Sequence, residues 1–174
     1  MLTKLIVCLT GMPGAGKSTI TDGLKLKGYD TINMGNAVRM VAKSRKLEPT
    51  GPNLGKLMLD LREKNGPGAI AELVVPQIEN SKSNVIIIDG IGSNAEIEVL
   101  RKYGTVKLLA IHASIDKRFQ FLKQRGRSDD PKTKENFEER DSRELGVGIS
   151  NPIALSDDAI TNNNKSKEEL IEAS

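Results

Sequence analysis

The sequence predicts an α/β fold, a five-stranded parallel sheet held between two layers of helices, and three observations carry that prediction. Apolar, β-branched runs recur at 4–10, 29–33, 84–89, 105–112 and, more weakly, 158–162, with helical patterns between them. The run Val85-Ile86-Ile87-Ile88 is apolar without alternation, as a strand covered on both faces must be. Between the first run and the first helix stands Gly11-Met-Pro-Gly-Ala-Gly-Lys-Ser18, which satisfies the phosphate-loop pattern G-x-x-x-x-G-K-[ST] at every fixed position. Strands that alternate with helices imply right-handed crossovers and hence a parallel sheet.

Taken in order, Leu5-Ile6-Val7-Cys8-Leu9 forms the first strand and Ile20 and Leu24 give the first helix its apolar face. After the second strand comes a long helical insert, 36–80, broken by Pro49, Pro52, Gly66-Pro67-Gly68 and Pro76. It is expected to be a lobe of three helices over the carboxyl edge of the sheet, where ligands bind in open α/β folds. Residues 117–144 read as a helical hairpin carrying nine basic and seven acidic residues, with 126–133 as its connection and a short lid. Ion pairs at i,i+4 along its helices account for the lysines. The whole chain, 1–174, is expected to be one domain.

Composition excludes several classes. The balance of 26 Lys and Arg against 23 Asp and Glu leaves a formal charge of +3, too mild to demand nucleic acid as a partner. With no Trp and few aromatics, stacking platforms for single strands are missing. The single cysteine, Cys8, lies in an apolar run and reads as a buried thiol. No run reaches the roughly 18–20 apolar residues of a membrane span, and the apolar stretch before Gly11 stops too early for a signal peptide. A cytoplasmic protein, monomeric or weakly oligomeric, is the expectation.

The chemistry centres on the glycine-rich loop. Gly11, Gly14 and Gly16, with Pro13, Ala15 and Thr19 beside them, let backbone N–H groups converge on a phosphate at a helix N-terminus. Lys17 then reaches the β- and γ-phosphates and the Ser18 hydroxyl ligates Mg²⁺, so ATP and Mg²⁺ are the expected cofactors. Asp89 ends the most apolar strand, where a carboxylate serves the metal side. Arg118 and Arg125 lie seven apart on one helix face, Arg127 sits in the turn Gly126-Arg127-Ser128-Asp129-Asp130, and Arg140 and Arg143 share a face of the next helix. Such guanidiniums can converge as a phosphoryl-transfer clamp.

These motifs together resemble the nucleoside monophosphate kinases among P-loop NTPases. The segment Thr31-Ile-Asn-Met-Gly35-Asn-Ala-Val-Arg39 is similar to their acceptor-binding pattern, with Gly35 and Arg39 on its glycine and phosphate-binding arginine and Asn36 in place of the usual acid. Arg125-Gly-Arg127-Ser-Asp129-Asp130…Arg140 looks like their short Arg-x-Asp-Asp lid. The tail, Asp158 to Ser166, is similar to the last strand and base-contacting loop of these enzymes and of dephospho-CoA kinases, which makes Asn162 a nucleotide contact. The resemblance implies transfer of the γ-phosphoryl of Mg-ATP to a nucleoside monophosphate-type acceptor.

Two departures bear on the acceptor. Where adenylate kinases follow Asp-Gly with an aromatic, Pro and Arg, this chain has Ile91-Gly92-Ser93, and Arg62 on the inserted lobe is the candidate to compensate. Dephospho-CoA kinases resemble Ile-Asp-Ala-Asp after strand two, whereas Ile32-Asn33-Met34-Gly35 offers no carboxylate to take a proton from a hydroxyl. A monophosphate attacks with an oxygen already ionised and needs none. Transfer to a hydroxyl acceptor stays open as an alternative. So does a nucleotide-dependent regulatory or RNA-associated ATPase, supported by the basic run Lys43-Ser-Arg-Lys46.

Overall fold

The computed structural model describes residues 3–174. Five strands, β1 (Leu5–Thr10), β2 (Asp30–Asn33), β3 (Val85–Ile91), β4 (Thr105–His112) and β5 (Asp158–Thr161), form one sheet in the order β2-β3-β1-β4-β5. Every pairing is parallel. All five lie where the apolar runs place them. The strand order turns back beside β1, so the carboxyl ends of β1 and β3 flank the crevice at which such sheets take ligands.

The sheet separates two apolar layers. On one face Ile6, Cys8, Ile32, Ile86, Ile88 and Leu108 pack under the inserted helices; on the other Leu9, Ile87, Ile111 and Ile160 pack against Ile20 and Leu170. Ile86, Ile87 and Ile88 are each buried although they point to alternate faces, which is the physical content of an unalternating strand. Helix α1 (Lys17–Leu26) covers the second face together with the C-terminal helix α10 (Lys167–Ala173), and Gly23 gives α10 room: a Cβ there would come within 2.5 Å of the Ile171 side chain.

The insert differs from expectation in having four helices rather than three. α2 (Met34–Ser44), α3 (Gly51–Asn65), α4 (Ala69–Glu72) and α5 (Val75–Asn80) cover the first face. α3 ends at Gly66, whose φ of 91° no L side chain adopts comfortably. Pro76 stands in the first turn of α5, where its missing N–H costs nothing, so the segment after Gly68 forms two short helices. After α6 (Asn94–Arg101), the hairpin consists of α7 (Ile115–Arg125) and α8 (Lys134–Val147), capped by Ser114 and Thr133, and a short α9 (Ser150–Ala154) leads to β5. The hairpin's ion pairs run across it and into its connection rather than along each helix: Arg118 to Asp141, and Arg125 and Arg140 to Asp130.

Candidate active site

The loop between β1 and α1 is shaped by three glycines with positive φ, 146° at Gly11, 82° at Gly14 and 112° at Gly16. A Cβ on Gly11 would meet the Ile111 carbonyl oxygen at 2.2 Å, and one on Gly14 the Arg118 carbonyl oxygen at 2.5 Å. Strain and space therefore demand glycine together. Lys17 Nζ donates to the carbonyl oxygens of Gly11, at 2.6 Å, and Met12, at 3.1 Å. Burial lowers its pKa, and the nearby charges of Asp89 and Glu144 oppose that shift.

Asp89 is aimed at the loop by a break in register. Leu9 pairs with Asp89 but Thr10 pairs with Ile91, so Gly90, at φ 102°, is extruded and the strand turns at its end. Asp89 is 3% exposed. Its Oδ2 accepts from Asn33 Nδ2 at 3.1 Å, while its buried Oδ1 has no protein partner. Burial raises its pKa, and the ammonium of Lys17 works against that. Asn33 also accepts from the Asn36 backbone N–H at 2.9 Å, as the cap of α2, and Asn36 Oδ1 accepts from Arg39 Nη1 at 2.9 Å. The asparagine that replaces the expected acid therefore orients Arg39. A Cβ on Gly35 would approach that guanidinium to 3.3 Å.

The 126–133 connection supplies acids that gather arginines. Asp129 accepts from Arg39 Nη2 at 2.7 Å, and Asp130 pairs with Arg125 and with Arg140, the latter at 3.2 Å. Burial alone would raise the Asp130 carboxyl; the hydrogen bond and charge of Arg125, the Arg127 N–H and the charge of Arg140 together outweigh that and hold it below the usual range. Among the described residues, Arg127 and Arg143 enter no ion pair within 4.0 Å. Burial lowers the Arg127 pKa, and the charges of Arg125 and Arg39 lower it further.

Beneath the insert, Leu54, Met58 and Arg62 lie four apart on one face of α3, opposite Arg143 and Glu144 of α8. Arg62 Nη2 donates to Glu96 Oε1 at 3.0 Å, and the Gly92 N–H donates to Glu96 Oε2 at 2.7 Å. Glu96 is fully buried; burial raises its pKa, and the Gly92 N–H and Arg62 counter that.

These groups line one cavity of about 550 Å³. Of the residues read from the sequence, it brings together Gly11, Pro13, Gly14, Gly16, Lys17, Ser18, Thr19, Gly35, Arg39, Arg62, Asp89, Arg125, Arg127, Arg140, Arg143 and Asn162. Two stand apart. Ala15 is buried behind the loop, and Arg118 does not reach the cavity. Arg118 is instead spent on the scaffold: it binds both oxygens of Asp141, at 2.9 and 2.7 Å, and donates to the Pro13 carbonyl at 3.1 Å. Asn162 has a second task, bracing the loop by donating to the Ala15 carbonyl at 2.9 Å. Sequence reasoning missed Glu144, one helical turn beyond Arg140; that i,i+4 spacing was the signal.

The donors suit a magnesium nucleotide. The glycines leave a cradle of backbone N–H groups, Ser18 lines it, and Asp89 offers an unpartnered oxygen. Among the described residues no cluster of three or more His, Cys, Asp or Glu could hold a metal by itself. A hydroxyl and a single carboxylate suit Mg²⁺, which takes one or two protein ligands and completes its shell with phosphates and water. Among the described residues no helix is long and apolar enough to cross a membrane.

Comparison with known proteins places the family and the fold. A family model described as AAA domain matches residues 10–138. The UPF0200 protein of Pyrococcus abyssi is 40% identical over 163 residues, 91% of this chain and 87% of the relative. That of Methanocaldococcus jannaschii is 42% identical over 160 residues, 91% and 81%. Among solved structures, TT1252 from Thermus thermophilus matches with TM-score 0.68 at 13% identity, covering 98% of this chain and 96% of that one. Shikimate kinase from Acinetobacter baumannii, solved with shikimate, matches with TM-score 0.60 at 17% identity over 99% and 91%. The chain therefore belongs to the UPF0200 family and has the α/β fold of the P-loop kinases.

Proposed function

We propose that this protein is a nucleotide-dependent phosphotransferase that moves the γ-phosphoryl of ATP to a small anionic acceptor of nucleoside monophosphate type. The observation that carries this reading is the convergence of Lys17 and Asp89 with Arg39, Arg125, Arg127 and Arg140 on one cavity. ATP lies along residues 11–18 with its base toward Asn162 and Lys165. The acceptor sits beneath the insert, its anion on Arg39 and its body against Leu54 and Met58. Ser18, with Asp89 on the same side, would hold Mg²⁺, which would supply neutralisation of the phosphate charge.

The protein's own groups do the rest. Lys17 leaves its carbonyl partners for the phosphates, and Arg127, which enters no ion pair within 4.0 Å among the described residues, is a guanidinium available to the charge that develops on transfer. The 126–133 connection acts as a lid that excludes water, the competing acceptor. Such an enzyme is expected in the cytoplasm as a monomer or weak oligomer.

A second reading concerns the attacking atom. The segment after β2 carries no carboxylate, which favours a phosphate oxygen, but Glu144 of α8 lines the same cavity. Incubation with Mg²⁺ and γ-labelled ATP against AMP, CMP, GMP, UMP, the deoxynucleotides and dephospho-CoA tests the function. Label on an acceptor is the expected result. Label on inorganic phosphate alone, stimulated by RNA and lost in Lys17→Ala, would replace the kinase with a nucleotide switch.

A further inference from the structure

Three carboxylates lie on the acceptor side, Asp129 and Glu144 lining the cavity and Glu96 buried behind Gly92 and Arg62, and two of the three are already neutralised. Asp129 holds Arg39, and Glu96 is bound by Arg62 and by the Gly92 N–H. Glu144 is the third. Among the described residues no ion pair within 4.0 Å engages it, although Arg140 and Arg143 are carried on the same helix. Its Oε2 lies 3.7 Å from where a Cβ on Gly92 would stand, with Arg62 Nη2 at 3.9 Å from the same point. Gly92 has an ordinary φ, so what its missing side chain provides is space, directly in front of this carboxylate. Glu144 is also near enough to the phosphate loop for its charge to act on the Lys17 ammonium.

A carboxylate in that place is unfavourable beside an attacking phosphate oxygen, because two like charges would face each other. It is useful beside a hydroxyl, whose proton must leave as the oxygen attacks.

We propose that Glu144 is the catalytic base of the reaction and that the acceptor is phosphorylated on a hydroxyl, as in the alcohol of an anionic sugar or nucleotide. This rests on the phosphotransferase reading above and names its substrate class. The hydroxyl oxygen forms the new bond to the γ-phosphorus as the bond from that phosphorus to the β,γ-bridging oxygen breaks. ADP leaves with that electron pair, and the hydroxyl proton passes to the Glu144 carboxylate, which returns it to solvent. Arg62, fixed by Glu96, and Arg143, packed against Gly55 of α3, stand with Arg39 to hold the acceptor's own anion.

Water is itself a hydroxyl nucleophile, so the test does not depend on knowing the acceptor. Wild type, Glu144→Gln and Glu144→Asp are compared for ATP affinity, for ATP hydrolysis without acceptor, and for transfer to the acceptors named above, with the product's linkage read by phosphorus NMR. The expected result is unchanged ATP affinity, a fall on the order of 10²–10⁴-fold in both rates for Glu144→Gln, partial recovery in Glu144→Asp, and a phosphomonoester product. A diphosphate product from wild type, or wild-type rates in Glu144→Gln, overturns the role of Glu144 and leaves the kinase standing. No phosphoryl leaving bound ATP in wild type, by transfer or hydrolysis, overturns both.

Discussion

Arg118 and Asp141 meet in a two-pronged ion pair, Nη1 to Oδ1 at 2.9 Å and Nη2 to Oδ2 at 2.7 Å, that ties α7 to α8 beneath the phosphate loop. Arg118 is 4% exposed, lies 5.0 Å from the centre of the Phe137 ring, and has one more N–H on the Pro13 carbonyl. It therefore holds the loop to the hairpin, although the arginine spacing alone suggested a catalytic clamp. Truncating it strands a largely buried carboxylate, which costs about 3–5 kcal/mol. Arg118→Ala should lower the denaturant midpoint accordingly and weaken ATP binding through the loosened loop. The double variant Arg118→Met, Asp141→Leu should recover much of the stability, since no charge is left unpaired. A stable Arg118→Ala with normal ATP affinity would show the pair to be ornamental.

Arg127 is its opposite. It lies in the same cavity as Lys17 and belongs to no ion pair among the described residues. Its backbone N–H serves the fold, donating to Asp130 at 3.0 Å. In the proposed reaction its guanidinium stabilises the transferring phosphoryl. Arg127→Ala should leave the melting temperature within a degree or two of wild type and slow phosphoryl transfer by ~10³-fold. Arg140→Ala should slow transfer as well and also cost some stability, because Arg140 helps neutralise Asp130. Equal rates in both variants and wild type would remove the lid arginines from catalysis.

Asp89 sets stability against function. Its carboxylate is buried with one oxygen unpartnered, and burial pushes its pKa up, so the folded protein disfavours the charge it carries. Asn is the same shape without the charge. Asp89→Asn should melt at or above the wild-type temperature in the absence of ligand, yet lose the electrostatic contribution at the transfer site, on the order of 10²–10³-fold in rate. Differential scanning calorimetry beside a transfer assay reads both. A destabilised variant with full activity would reassign Asp89 to the scaffold.

What the sequence could and could not disclose follows from the range of each interaction. The strands and the phosphate loop were readable because their signals are local: an unbroken Val85–Ile88 run, and glycines at fixed offsets before Lys17. The split between α4 and α5 was half readable, since Pro76 marks a break but not whether the chain turns there. The partners of Arg118 and Glu144 were not readable at all. Asp141 is 23 residues from Arg118, and Gly92 is 52 from Glu144; only the packing of α8 brings either pair together. The carboxylate that residues 32–35 lack comes from α8, far along the chain.

Cys8 offers a check on the core that is independent of function. It lies in the middle of β1 with no exposed surface, and burial, with a further push from the charge of Glu96, moves its pKa up from 9.0 to about 12. The thiolate is the reactive form, so at pH 8 the native thiol should resist an alkylating reagent for hours and react within minutes once the chain is unfolded in denaturant. The sign of the linkage is also fixed. The folded-state pKa is raised, so the neutral thiol's contribution is intact below pH 9 and is lost as pH rises toward 12, because the unfolded chain releases the proton first. Cys8→Ala removes that titration and leaves a small cavity in its place. Its stability should therefore lie below wild type at pH 8 and converge toward it between pH 9 and 12, measured by urea unfolding across that range. Alkylation of the native protein at the rate of a free thiol would mean that β1 is not the closed centre of the sheet.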